Sequence, residues 1–376
     1  MEQLSIDPAA LSALITRCQR EIDEGLLPSC QIAVARDGEV VHFETFGDAD
    51  AESRYIIFSA TKAFVVGAFW LLLGEGKVSV EDRVADVIPE FGTNGKDTIT
   101  IRQLLLHEAG FPLAPLDPLT EARNPARRER FSAWHLNWEP GTRFEYHATS
   151  AHWVIADLIE ALSGEDFRDF LRERVLEPLG LRKFQLGAPP EAQGEVNLLE
   201  VCGEPATLAE LAALGLPTEV AETALSDEML LSLNRADVRA SGLPGGGGMS
   251  DAADVALYYQ ALLHNTGELW DPAVLAAGSR EVHGTLPETL TGLSSNRALG
   301  LVIAGEGRDK VLRGFGHTVS PRTFGHGGAG GQLAFADPDT GISFCYLTSG
   351  LDAHVIRLSR RATSIASHAG SLTTPQ

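Results

Sequence analysis

Apolar positions recur along this chain in two periods. Near the start, Leu11, Leu14, Ile15, Cys18 and Ile22 stand at helical spacing behind Asp7-Pro8. A capping aspartate followed by proline at the first helical position predicts a helix to about residue 24. Residues 32–36 and 39–43 then flank Asp37-Gly38, the signal of a two-residue hairpin. Near the other end, residues 332–336 and 342–347 flank the turn segment 337–341. That pattern predicts a second, longer hairpin. Val355, Leu358, Ala362 and Ile365 mark one face of a last helix. Between these ends, helical patterns cover residues 101–107, 150–162 and 167–176. Ser163-Gly164 stops the second of them. Ser250-Asp251 caps a helix running to about His264. The pattern predicts an α+β fold. One antiparallel sheet is formed by both chain ends (residues 1–78 and 238–376) and flanked by helices, with a mostly helical inserted domain at 79–237. No repeat or low-complexity linker interrupts it.

One run breaks the periodic rule. Residues 63–73, from Ala63 to Leu73, are apolar on every side, which predicts a buried helix. Lys62 stands one step before that run, where a charge has no solubility role. Ser59 lies three residues earlier, on the same helical face. A serine hydroxyl is a weak nucleophile until a base takes its proton. A buried amine, whose charged form is disfavoured, can be that base. A snorkelling lysine at a helix entrance is the plainer reading.

Two further stretches carry candidate chemistry. Tyr146 sits just ahead of the helix predicted from Ser150, where the helix dipole favours a phenolate. A tyrosine becomes a base only if nearby charge lowers its ordinary value near 10, and Lys62 would supply such charge. The plainer reading is an amphipathic tyrosine packed at a helix entrance. The other stretch is Gly325-His326-Gly327-Gly328-Ala329-Gly330-Gly331. Glycines before a strand let backbone approach a ligand, and their N–H groups can stabilise an oxyanion. His326 can donate a hydrogen bond or relay a proton.

Composition narrows the classes. Of 376 residues, 44% are hydrophobic, enough for a large core, and the formal net charge is −21. With no basic cluster, nucleic acid and anionic membrane are not expected partners. The N-terminus lacks the basic start and apolar core of a signal peptide, and the run after Lys62 is too short to span a bilayer. Cys18, Cys30, Cys202 and Cys345 are scattered and read as reduced thiols, so a cytoplasmic setting is expected. No metal-ligand spacing or phosphate loop appears, and no cofactor is expected.

Taken jointly, these motifs resemble the class C β-lactamase, penicillin-binding-protein-like family of serine hydrolases and esterases. Phe58-Ser59-Ala60-Thr61-Lys62 matches its S-x-x-K signature. Tyr146-His147-Ala148 occupies the place of Y-x-N, and His326-Gly327-Gly328 that of K-T-G. Leu104-Leu105-Leu106-His107-Glu108-Ala109-Gly110 and the run Gly245 to Ser250 resemble two supporting motifs. The likeness covers roughly residues 8–365 and is poor over 195–240.

The resemblance implies a β-lactamase/transpeptidase-like fold and an acyl-enzyme on Ser59. Lys62 and Tyr146 share the proton transfers. The N–H groups of Ser59 and Ala329 form the oxyanion hole, and His326, Gly327 and Gly328 line the pocket. His107 is expected to be structural. Two departures, Ala148 for asparagine and His326-Gly327 for Lys-Thr, remove groups that hold a β-lactam. They point to the carboxylesterase (family VIII-like) branch and a small-molecule ester substrate. A β-lactamase or D,D-peptidase is the second reading, and a non-catalytic binding or regulatory protein on the same fold is the third. Residues 195–235 carry two readings, a peripheral helical excursion packed on the core and a helical cover over the acyl pocket.

Overall fold

A computed structural model of the protein describes residues 5–215, 226–289 and 291–374. Six strands form one antiparallel sheet: β1 (Ser29–Arg36), β2 (Glu39–Gly47), β3 (Val302–Ile303), β4 (Phe324–Gly325), β5 (Leu333–Asp337) and β6 (Ile342–Thr348). Their order is β2-β1-β6-β5-β4-β3, so the two chain ends meet at the centre of the sheet. Cys345 in β6 lies opposite Ala33 in β1 and Ala334 in β5. The first hairpin turns at Asp37 and Gly38, both with positive φ (52° and 83°). A tight primed turn demands that conformation at both central residues, and an Asp-Gly pair tolerates it.

The helices that matter for the site are α1 (Pro8–Asp23), α2 (Thr61–Gly74), α3 (Ser150–Ser163), α4 (Ala252–His264) and α5 (Val355–Ala369). Both faces of the central strands are covered, so β1 and β6 read as continuous apolar runs rather than alternating ones. α1 and α5 pack on one face through Leu14, Cys18, Ile365 and Ala366. α4 packs on the other, and its Gln260 side-chain amide donates to the Ala35 carbonyl and to Ser343 Oγ. Behind α4, α2 is buried along nearly its whole length, as its all-apolar surface requires. α3 packs beside α2 and ends at Gly164 in the left-handed conformation (φ 81°).

Residues 79–237 hold helices separated by irregular segments. The helix read over 167–176 is an α-helix only through Phe167–Leu171 and widens into a π turn over Arg172–Leu176. One buried apolar cluster runs unbroken from β1 through α2 and α3 to α4. The segment 195–235 differs from a helical cover. Its described parts are a short strand, Glu200–Cys202, and two short helices, Leu208–Ala213 and Asp227–Ser232; residues 216–225 lie outside the described residues. The strand pairs with Gly350–Asp352, and Leu199 and Leu233 pack against Phe58. That pairing forms a separate two-stranded parallel sheet outside the six-stranded one. Among the described residues, no helix is long and apolar enough to cross a membrane.

Candidate active site

Ser59 lies in a single 3₁₀ turn, Phe58–Ala60, that leads into α2, rather than in the α-helix itself. Phe58, just before it, has φ of 47°. A bulky residue held there costs on the order of 1–3 kcal/mol, and such costs gather at functional sites. The tighter turn still leaves Ser59 and Lys62 facing each other, with Lys62 Nζ 3.3 Å from Ser59 Oγ.

Lys62 is fully buried. Its Nζ donates to the carbonyls of Ala148 (2.7 Å) and Gly245 (2.6 Å). Burial pushes its amine below the ordinary lysine range, and the nearby Tyr146 oxygen opposes that push. In the neutral form the two hydrogens are held by the two carbonyls. The lone pair is then left for the Ser59 hydroxyl. Ala148, which lacks an amide side chain, therefore serves through its backbone. Gly245 serves likewise, and its lack of a side chain matters. A Cβ there would stand 2.9 Å from the Ala148 carbonyl oxygen and 3.3 Å from Lys62 Nζ.

Tyr146 stands on the other side of Lys62, whose Nζ is 5.0 Å from the centre of its ring. The Tyr146 hydroxyl is 3.5 Å from His326 Nε2. His326 Nδ1 is 2.8 Å from the Gly327 carbonyl oxygen, which can only accept. The proton therefore sits on Nδ1, and Nε2 is an acceptor facing the tyrosine O–H. Burial first, and then the charges of Arg297 and Lys62, push the His326 imidazole well below its ordinary value. Here it is a neutral acceptor, fixed also by its backbone N–H, which donates to the Tyr259 hydroxyl at 3.0 Å.

The glycine loop runs along the same cleft. Gly328 N–H donates to the Gln332 carbonyl, and Gln332 in turn bridges from Ile56 to Thr348. This network ties the loop to the strand ahead of Ser59. A cleft of about 460 Å³ is lined by Ser59, Tyr146, His326, Gly327, Gly328 and Ala329. Nothing described in 195–235 lines it; Leu199 and Leu233 share an apolar cluster with Phe58, and Ala329 packs against that cluster.

Sequence reading missed two groups. Gly245 was visible as part of a glycine run, without a role. Arg297 carried no signal, for it lies in no motif. It lines the cleft as well, with its guanidinium 5.5 Å from the Tyr146 ring centre and 5.3 Å from that of Phe144. His107, His147 and His152 are buried around Tyr146, and burial is the first cause of a lowered value for each. His107 Nδ1 accepts from the His147 N–H, and His147 Nε2 from the Phe111 N–H. Both are neutral struts.

Known proteins share this fold. The chain is 27% identical to a Mycobacterium tuberculosis protein named Esterase/beta-lactamase LipL, over 85% of this chain and 76% of that protein. A penicillin-binding protein homologue from Caulobacter crescentus has the same fold, with TM-score 0.76 and 24% identity over 98% of this chain and all of that one. A family VIII carboxylesterase superposes equally well, with TM-score 0.76 and 22% identity over 98% of this chain and all of that one. The beta-lactamase family model matches residues 15–366. The chain belongs to the beta-lactamase family, and with it to the serine hydrolases built on this fold.

Proposed function

We propose that the protein hydrolyses carboxylic esters through an acyl-enzyme on Ser59. The observation that carries this reading is the set of partners of Lys62. Two carbonyls hold its hydrogens, burial disfavours its charge, and its lone pair faces Ser59 Oγ at 3.3 Å. Lys62 takes the hydroxyl proton as Oγ bonds to the ester carbonyl carbon. The oxyanion is received by the N–H groups of Ser59 and Ala329. Tyr146 then gives its proton to the departing alkoxide and regains one from Lys62. Water attacks the acyl-enzyme with the coupled pair as base, which restores Ser59.

The substrate class rests on what the cleft lacks. Ala148 offers no side-chain amide, and the neutral His326 with Gly327 offers neither the ammonium nor the hydroxyl that a K-T-G motif presents. The relatives named as esterases support the same choice. Four free cysteines fit a reducing, cytoplasmic setting.

The test is direct. Fluorophosphonate treatment should give a single adduct by intact mass, mapped to Ser59, and Ser59→Ala should abolish both labelling and p-nitrophenyl butyrate turnover. An adduct elsewhere, or full activity in the variant, ends this mechanism. Nitrocefin turned over as efficiently as the ester would favour the β-lactamase reading. A protein that neither labels nor turns over would be a binding protein.

A further inference from the structure

A second cavity, of about 680 Å³, lies between the first and last helices and shares no lining residue with the catalytic cleft. α1 lines it with Arg17, Arg20 and Glu21, and α5 with Arg357, Arg360 and Arg361. The α5 residues stand three and four apart, on one face of the helix. The volume suits a small molecule, for which sites run roughly 300–1,000 Å³. The chain as a whole carries 51 acidic residues against 30 basic ones. Here the balance is reversed, with five arginines facing three glutamates.

The ion pairs leave a charge over. Arg17 and Arg361 share Glu21, while Arg361 and Arg357 share Asp352. Three guanidiniums thus divide two carboxylates, and the buried Arg361 keeps an Nη1 without a partner. Arg357 spends Nε and Nη2 on Asp352, which leaves its Nη1. Arg20 is answered by Glu24. Glu210, across the cavity, has its carboxylate engaged by the Thr207 N–H and hydroxyl and stands 3.6 Å from His354 Nε2. Arg360, exposed on the same face of α5, pairs with no acid among the described residues. An unpaired surface arginine by itself means little, because water answers its charge. This one stands in a concavity crowded with like charge, beside an apolar wall of Leu26, Leu214 and Ile356. Leu214 is 51% exposed there.

We propose that this cavity binds a small amphipathic monocarboxylate. Its carboxylate takes the Arg360 guanidinium and the free Nη1 of Arg357, and its hydrocarbon part covers Leu26, Leu214 and Ile356. A planar guanidinium matches a carboxylate in shape as well as charge. One uncompensated arginine calls for a monoanion, and the apolar wall calls for a tail. The same helix carries the site to the chemistry. Ala362 of α5 lines the catalytic cleft. A Cβ on Gly331 would stand 2.9 Å from Leu358 Cδ1, so α5 rests directly on the glycine loop that holds Ala329. An acid gripping Arg357 and Arg360 therefore bears on the oxyanion hole. This coupling rests on the esterase reading above, whose product is itself a carboxylic acid, and it requires the acid to bind two positions of α5 unequally.

The experiment is calorimetry of octanoate on wild type and Arg360→Glu. Arg360 is exposed, so the variant should fold, and it sets the protein's own carboxylate where the ligand's would sit. Binding should weaken about 10- to 100-fold, the scale of a lost charged hydrogen bond. Octanamide, which keeps the chain without the charge, and acetate, which keeps the charge without the chain, should both bind wild type more weakly than octanoate. No binding of octanoate overturns the proposal, as does binding that Arg360→Glu leaves unchanged, which places the acid elsewhere. Octanamide, acetate or inorganic phosphate binding as tightly as octanoate overturns the ligand class. For the coupling, saturating octanoate should change kcat for p-nitrophenyl butyrate in wild type and not in Arg360→Glu. A rise in KM alone, equal in both proteins, means product in the catalytic cleft and no coupling. If wild type cleaves no ester, the esterase reading and the coupling fall together, while octanoate binding lost with Arg360→Glu still establishes the site.

Discussion

The two walls of the cleft are built on opposite terms. On the nucleophile side the side chains are paired: Lys62 bonds to two carbonyls and to Ser59, and Thr61 Oγ1 accepts from the Gly248 N–H. On the Tyr146 side, polar atoms are left over. Both ring nitrogens of His152 and two nitrogens of Arg297 lack partners among the described residues. The difference follows from what each wall does in the proposed reaction. A proton-transfer group works only if its geometry is held before substrate arrives. A recognition group must keep a vacancy for the substrate to fill. Motifs mark the first wall because chemistry allows few alternatives there. On the second wall Tyr146 and His326 lie in motifs and Arg297 lies in none.

The severest way to break this contrast is to remove the proton-transfer groups. Lys62→Ala and Tyr146→Phe should each lower kcat by about 10² to 10⁴, the usual scale for acid–base groups. The double variant should lose little more than the worse single one, because the two act as a unit. Multiplicative losses would mean that they act separately, and the first wall would not be a single device.

A subtler change tests whether tight pairing itself matters. Gly245→Ala places a Cβ 2.9 Å from the Ala148 carbonyl oxygen and 3.3 Å from Lys62 Nζ. It should cut kcat by roughly 10- to 100-fold, since small misplacements at the reacting centre are costly. KM should change little. Unchanged kcat would show that the Lys62 anchors tolerate slack.

The smallest effect sharpens the second wall through stability. His107, His147, His152 and His326 are all held neutral by burial, His147 down to about 3. Unfolded histidines bind protons below about pH 6.5, so the unfolded state gains protons there that the folded state refuses. The stability these groups contribute is complete above that pH and declines as pH falls below it. Glu108, raised to about 7, and Asp251, raised to about 6, act with the opposite sign, since they hold protons in the folded state at pH values where the unfolded chain has released them. His283 is lowered as well and Asp254 raised, so with five histidines against three acids the melting temperature should fall between pH 7 and 5, by about 1.4 kcal/mol of stability per pH unit for each net proton. A flat profile over that range would mean that the histidine cluster takes up protons without unfolding.

Local sequence determined much of this protein. Asp7-Pro8, Asp37-Gly38 and Ser163-Gly164 set element boundaries because caps and tight turns depend on residues within a few positions. The all-apolar run after Lys62 could only be buried. S-x-x-K brought nucleophile and base together because three residues span one helical turn, and the 3₁₀ entry at Ser59 did not undo that. The tertiary structure decided the rest. Lys62 is biased toward its neutral form by burial, and its hydrogens are placed by carbonyls at 148 and 245, far apart in the chain. The neutrality of His326 depends on burial and on Arg297, which no motif contains. In the segment 195–235, Glu200–Cys202 is held by pairing with Gly350–Asp352, a partner about 150 residues away in the chain. Periodicity encodes which face of an element is apolar. Protonation and charge pairing depend on which distant groups that face meets, and only the assembled fold fixes those distances.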